Sequence, residues 1–123
     1  MVGRTAADVV KDWAEVVAAG LALPGVELGT SYGQPALRFR NGTLAGTTAP
    51  DPGSFVLHVA LAEKDVLLDT DPAIFWQTDH YRDWPAILVR YGTDARDRIA
   101  LLLERAWWDR ATLRQRRDRG ERP

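Results

Sequence analysis

Asn41-Gly42 follows directly on an alternating run from Ala36 to Arg40, and no other feature narrows the possible folds as much. Both residue types tolerate positive φ, so the pair predicts a tight hairpin turn whose twist matches that of its flanking strands. On the incoming strand Leu37 and Phe39 share one side, while Arg38 and Arg40 share the other. Thr43 to Thr48 is the expected return strand. Asp51-Pro52-Gly53 reads as a further turn, and Ser54 to Ala60 alternates again, with Phe55, Leu57 and Val59 opposite Val56, His58 and Ala60. Ala86 to Tyr91 repeats the pattern. A strand over Glu27 to Tyr32 is weakened by Gly29 and Gly33, and Phe75 to Asp79 is a candidate for one more.

Helical patterns bracket these strands. Thr5 and Asp8 form a capping signal, and Val9, Val10, Trp13, Val16 and Val17 then recur at helical spacing until Gly20 and Pro24 end the run. Gly92-Thr93-Asp94 opens a longer helix whose apolar stripe is Ile99, Leu102, Leu103, Ala106 and Trp107, with Leu113 a candidate to extend it. Glu63 to Asp69 predicts a short helix between the strands, and Asp71-Pro72 predicts another helical start, because proline is tolerated in a first turn. Strands in a continuous meander with short turns predict an antiparallel sheet. The expected fold is therefore α+β, a two-layer sandwich with the N- and C-terminal helices on one sheet face and the other face partly open. Residues 1–113 are expected to form a single domain. From Arg114 the stripe is lost, so residues 114–123 are expected to be a basic, frayed tail.

Composition excludes several functions. At 123 residues the chain can bury a real core without staples. It has no cysteine, hence no disulfide framework and no thiolate chemistry. The longest apolar stretch, Val16 to Val26, is too short to span a bilayer, and acidic Asp12 and Glu15 precede it instead of a basic leader. A cytoplasmic protein without a membrane partner is the expectation. Net charge is −1, which argues against a dedicated nucleic-acid binder across the whole chain. The charge is uneven, however: residues 1–93 hold 7 basic and 11 acidic side chains, and residues 94–123 hold 9 and 6.

Three ordered segments carry a family resemblance. Gly29-Thr30-Ser31-Tyr32-Gly33-Gln34-Pro35-Ala36-Leu37-Arg38 is one, Asp71-Pro72-Ala73-Ile74-Phe75-Trp76-Gln77-Thr78-Asp79-His80-Tyr81 the second, and Trp84-Pro85-Ala86-Ile87-Leu88-Val89-Arg90 the third. Together with Leu102-Leu103-Glu104-Arg105-Ala106-Trp107 they resemble the MmcQ/YjbR family of small bacterial proteins over nearly the whole chain, with Leu37 where that family often has phenylalanine. The resemblance implies an antiparallel two-layer fold similar to secretion-chaperone-like domains. It also implies the DNA-binding role commonly attached to the family, a role that leans on fold analogy. It implies no catalytic residues.

Candidate sites follow from side-chain chemistry. Arg38, Arg40, His58 and Arg90 each point away from the apolar side of their strands and predict a basic patch on the open sheet face. His80 and Tyr81 form a polar-aromatic cluster with Thr78 and Trp84, and Trp76 is a candidate for stacking on a base or a partner. Ser31 lacks the frame of a nucleophile elbow, two lone histidines lack metal-site spacing, and no glycine pattern matches a phosphate or dinucleotide loop. No metal or cofactor is expected. The expected function is a non-enzymatic binding module, with nucleic acid first among its partners and a protein partner or homodimer next. A small-molecule enzyme is the remaining alternative.

Overall fold

The computed structural model describes residues 8–123, so the expected Thr5 cap lies outside the described residues. Helix α1 spans Trp13–Leu21, and it begins later than the apolar pattern predicts. Asp12 is its N-cap, accepting from the Glu15 amide at 3.2 Å, while Glu15 Oε2 accepts from the Lys11 amide at 2.7 Å. The preceding residues cannot join the helix because their carbonyls are bound elsewhere. Val10 O accepts from the Gly92 amide, and Val9 O accepts from Arg96.

The described residues form six strands, β1 Glu27–Ser31, β2 Gln34–Phe39, β3 Gly42–Gly46, β4 Ser54–His58, β5 Phe75–Trp76 and β6 Ala86–Arg90. The expected meander holds through β4, after which β6 inserts between β4 and β5. They form one antiparallel sheet in the order β1-β2-β3-β4-β6-β5. Helix α2, Leu61–Thr70, lies between β4 and β5, and α3, Arg96–Arg110, follows β6. Asp71-Pro72 starts no helix. The Asp71 carbonyl instead accepts from the amides of Ile74 and Phe75, a turn that returns buried Phe75 to the sheet edge against Val89.

The expected hairpin is present, with its turn one residue earlier than Asn41-Gly42 predicts. Arg40 and Asn41 are the two central residues, at φ 48° and 66°, and Phe39 pairs with Gly42. A bulge explains the shift. Leu37 faces Ala45 and Arg38 faces Thr43, so Leu44 is the extra residue on β3, and it enters the core beside Ala45. A second two-residue turn, Tyr32-Gly33 at φ 52° and 75°, joins β1 to β2.

Helices α1, α2 and α3 pack on one apolar cluster on one side of the sheet, which includes Leu37, Phe39, Phe55, Leu57, Ile87 and Val89. Trp107 is its largest fully buried side chain. Its ring stacks on Phe39 at 5.6 Å, and its indole N–H donates to Pro24 O at 2.7 Å, so the polar edge is satisfied. Trp13 packs at the margin, 6.5 Å from Phe55.

The chain does not fray after Leu113. Leu113–Arg119 forms α4, opened by a capping box in which Thr112 and Gln115 satisfy each other's backbone amides. Its basic residues return to the body of the protein: Arg119 pairs with Glu104, and Arg122 with Glu63 and Asp109. Arg116 donates to the carbonyls of Trp108 and Asp109 and lies over the Trp108 ring. The lost apolar stripe was thus replaced by ion pairs, which periodicity does not register. No helix among the described residues is long and apolar enough to cross a membrane.

Candidate functional site

The sheet face opposite the helices carries a small second cluster, Val56, Ala86 and Leu88, with Trp76 and Tyr81 packed on it. Beside that cluster a pocket of about 770 Å³ opens across the ends of β1 to β4 and the segment between β5 and β6. That segment, which includes the 3-10 turn Asp79–Tyr81, forms one wall, and the β1–β2 hairpin forms the other.

Of the residues proposed from sequence, four meet here: Arg38, His58, His80 and Tyr81. Two more line the pocket that sequence reasoning passed over. Arg110, from the last turn of α3, reaches in across Gly42, and Thr43 accepts a hydrogen bond from Arg38 Nη1 at 2.5 Å. Each guanidinium arm crosses a glycine. A Cβ on Gly42 would overlap the Arg110 guanidinium, and one on Gly29 would stand 2.9 Å from Arg38 Cγ. Both glycines hold space open for arginine, a role with no signature in a single sequence.

His58 lies between these cations. Arg110 Nη2 donates to His58 Nδ1 at 3.4 Å; since arginine can only donate, Nδ1 carries the lone pair and Nε2 the proton. Burial first, then Arg110 and Arg38, push the imidazole pKa down to about 4, so His58 is neutral at pH 7. Burial and the nearby Arg38 also hold the Arg110 pKa below its usual value, with Asp109 opposing. No aspartate or glutamate among the described residues lines the pocket, and none of them forms an ion pair with Arg38 or Arg110. By contrast Arg82, Arg96, Arg98, Arg105, Arg119 and Arg122 all have carboxylate partners.

The aromatic wall is fixed from behind. Tyr81 donates its hydroxyl to Thr48 O at 3.0 Å, and burial raises its pKa. The His80 ring meets Tyr81 edge-on at 5.2 Å and lies nearly parallel to Trp84 at 6.4 Å. Underneath, Lys64 of α2 is only 1% exposed, yet no carboxylate among the described residues pairs with it. Its ammonium donates instead to the carbonyls of Tyr81, Arg82 and Trp84, the last at 2.8 Å. Three donors meet three acceptors, so one buried cation pins the whole segment. Burial lowers its pKa, opposed by Asp65 and Asp83. The faint signal for it was compositional: Lys64 is one of two lysines in a chain that otherwise uses arginine.

The other three sequence candidates lie elsewhere. Arg40 sits in the hairpin turn and donates to Arg110 O at 2.5 Å, which caps the C-terminus of α3. Arg90 pairs across the sheet with Ser54, whereas His58 pairs with Ala86 at the opposite end of the same two strands. Arg90 donates to Pro72 O and lies 5.2 Å over the Trp76 ring, whose N–H donates to Ser54 Oγ. The expected four-residue basic patch is therefore divided. Alternation places these side chains on the open face, but strand length and register set where along it each one falls.

Among the described residues no three metal-ligating side chains gather as a metal site. Compared with known proteins, the chain matches no family model, and neither a curated protein nor a solved structure matches it.

Proposed function

We propose that this protein is a binding module that takes a small anionic ligand in the pocket of the open sheet face. One observation carries the reading: Arg38 and Arg110 converge in a concave site that no described carboxylate lines, and neither forms an ion pair among the described residues. Two like charges held close in a partly dry site repel, and an uncompensated buried charge is destabilising unless an anion joins it. Guanidinium is suited to that anion because its planar fork binds carboxylate or phosphate oxygens in pairs. The volume falls within the range of pockets that enclose small molecules, roughly 300–1,000 Å³.

Resemblance to the MmcQ/YjbR family supports a related reading, binding of nucleic acid. Tracking a duplex backbone takes a run of available cations. Here Arg40 and Arg90 are tied to carbonyls and Arg119 and Arg122 to carboxylates, so Arg38 and Arg110 form a concave charged point, with exposed Arg114 and Arg117 apart from it on α4. A single anionic group fits that distribution better than a duplex does. The enzyme alternative draws less support, since Ser31 and His80 line the pocket and no described carboxylate lines it with them to orient a histidine.

The test is calorimetric titration with inorganic phosphate. Arg38→Gln and Gly42→Ala should each weaken binding about tenfold, the worth of one charge-assisted contact. Gly42→Ala displaces Arg110 without changing any charge, so it separates geometry from bulk electrostatics. Equal affinity in both variants and the parent would overturn the reading.

A further inference from the structure

Two large aromatic side chains are exposed among the described residues, Tyr32 at 83% and Trp84 at 52%, and both line this pocket. Neither is explained by folding. Tyr32 occupies the first central position of a tight turn at φ 52°, where a bulky side chain costs roughly 1–2 kcal/mol against the asparagine or glycine that such turns favour. Trp84 lies in the wall pinned by Lys64, backed by the near-parallel His80 ring, so its orientation is preset. Arg38 and Arg110, without an ion pair among the described residues, line the same pocket, with the Thr43 hydroxyl beside Arg38.

We propose that the ligand is a phosphate ester carrying a planar ring, a nucleotide unit, with its phosphate between Arg38 and Arg110 and its ring against Tyr32 and Trp84. This rests on the anion-binding reading and adds its chemical class. Charge matching favours phosphate: a monoester carries about −1.5 to −2 at pH 7 and three terminal oxygens, against −1 and two oxygens for a carboxylate. Two guanidiniums in a pocket that no described acid lines call for the larger charge. The rim favours a ring because a planar π-face stacks on tyrosine or tryptophan whatever its substituents. Neutral His58 adds no third positive charge, so its ring is available for a neutral hydrogen bond to an ester or sugar oxygen.

The same unit exists as a free nucleotide or within a single strand. Calorimetry on the full chain would use AMP, GMP, UMP, ribose 5-phosphate and a pentanucleotide, each at two salt concentrations. At least one nucleoside monophosphate should bind about tenfold or more tightly than ribose 5-phosphate. Tyr32→Asn, which suits the turn better and so should fold, and Trp84→Ala should each shrink that advantage. Monophosphates no tighter than ribose 5-phosphate would overturn the ring assignment and leave the anion site standing. Failure of ribose 5-phosphate and every monophosphate to bind would remove both. A pentanucleotide that binds more tightly than any monophosphate, with affinity falling steeply with salt, identifies the strand as the source; one that binds equally or less tightly identifies the free nucleotide.

Discussion

The two faces of this sheet solve opposite problems with neighbouring residues of the same strands. On the helix side Leu37, Phe39, Phe55, Leu57, Ile87 and Val89 are buried in a dry cluster, and the Trp107 indole has found a carbonyl for its polar edge. On the other side Arg38 and His58, their neighbours in sequence, face a pocket where Arg38 and Arg110 form no ion pair among the described residues. The helix face is closed, and its contribution is stability. The open face is left incomplete in charge, and a ligand is what would complete it. Strand alternation makes both possible at once, since one register commits every second residue to each task.

Changes on the closed face should cost stability most. Trp107→Ala removes a fully buried ring and should destabilise by about 3–5 kcal/mol, read from the denaturant midpoint. An unchanged midpoint would break the contrast outright. Next comes His58 of the open face. Its folded pKa of about 4 lies below the 6.5 of an unfolded histidine, so the unfolded chain takes up the proton first. Stability is then full above about pH 6.5 and falls as pH drops toward 4, by up to about 3 kcal/mol from this group alone. His58→Gln should flatten that part of the pH profile when both proteins are unfolded at pH 7 and pH 5. A profile as steep as the parent's would place the titration elsewhere.

Lys64→Met should cost about 1–3 kcal/mol by stranding the carbonyls it holds, and should speed hydrogen exchange of the amides in residues 79–85. Slow exchange in that variant would mean that the aromatic wall needs no clamp. The smallest effects belong to exposed ion pairs. Arg122→Ala should cost about 1 kcal/mol or less, although it removes contacts with both Glu63 and Asp109.

How much of this was legible in the sequence depends on the length scale of each feature. Alternation and helical spacing are local, so the strands, the three larger helices and the buried stripe from Ile99 to Trp107 could be read directly. The bulge at Leu44 could not be, because an extra strand residue is defined by its partner strand. The same limit hid half of the site. Arg38 and His58 announced themselves by pointing away from a hydrophobic side, but Arg110 read as one more basic residue near a helix end. What makes it a pocket residue is the absent side chain of Gly42, far away in sequence. Arg40 and Arg90 were misplaced for the converse reason: alternation assigns a face and says nothing of which carbonyl a long side chain will find. Lys64 reads as an ordinary surface lysine until the Tyr81, Arg82 and Trp84 carbonyls are seen around it.

The central claim is that Arg38 and Arg110 form a site that an anion occupies in preference to the exposed arginines, and residue-resolved NMR during a phosphate titration tests it most directly. Amide shifts should saturate together and centre on Gly29, Arg38, Gly42, Thr43 and His58, with Arg90 and the α4 arginines unmoved. Shifts centred on α4, or spread evenly over the exposed arginines without saturation, would contradict the account.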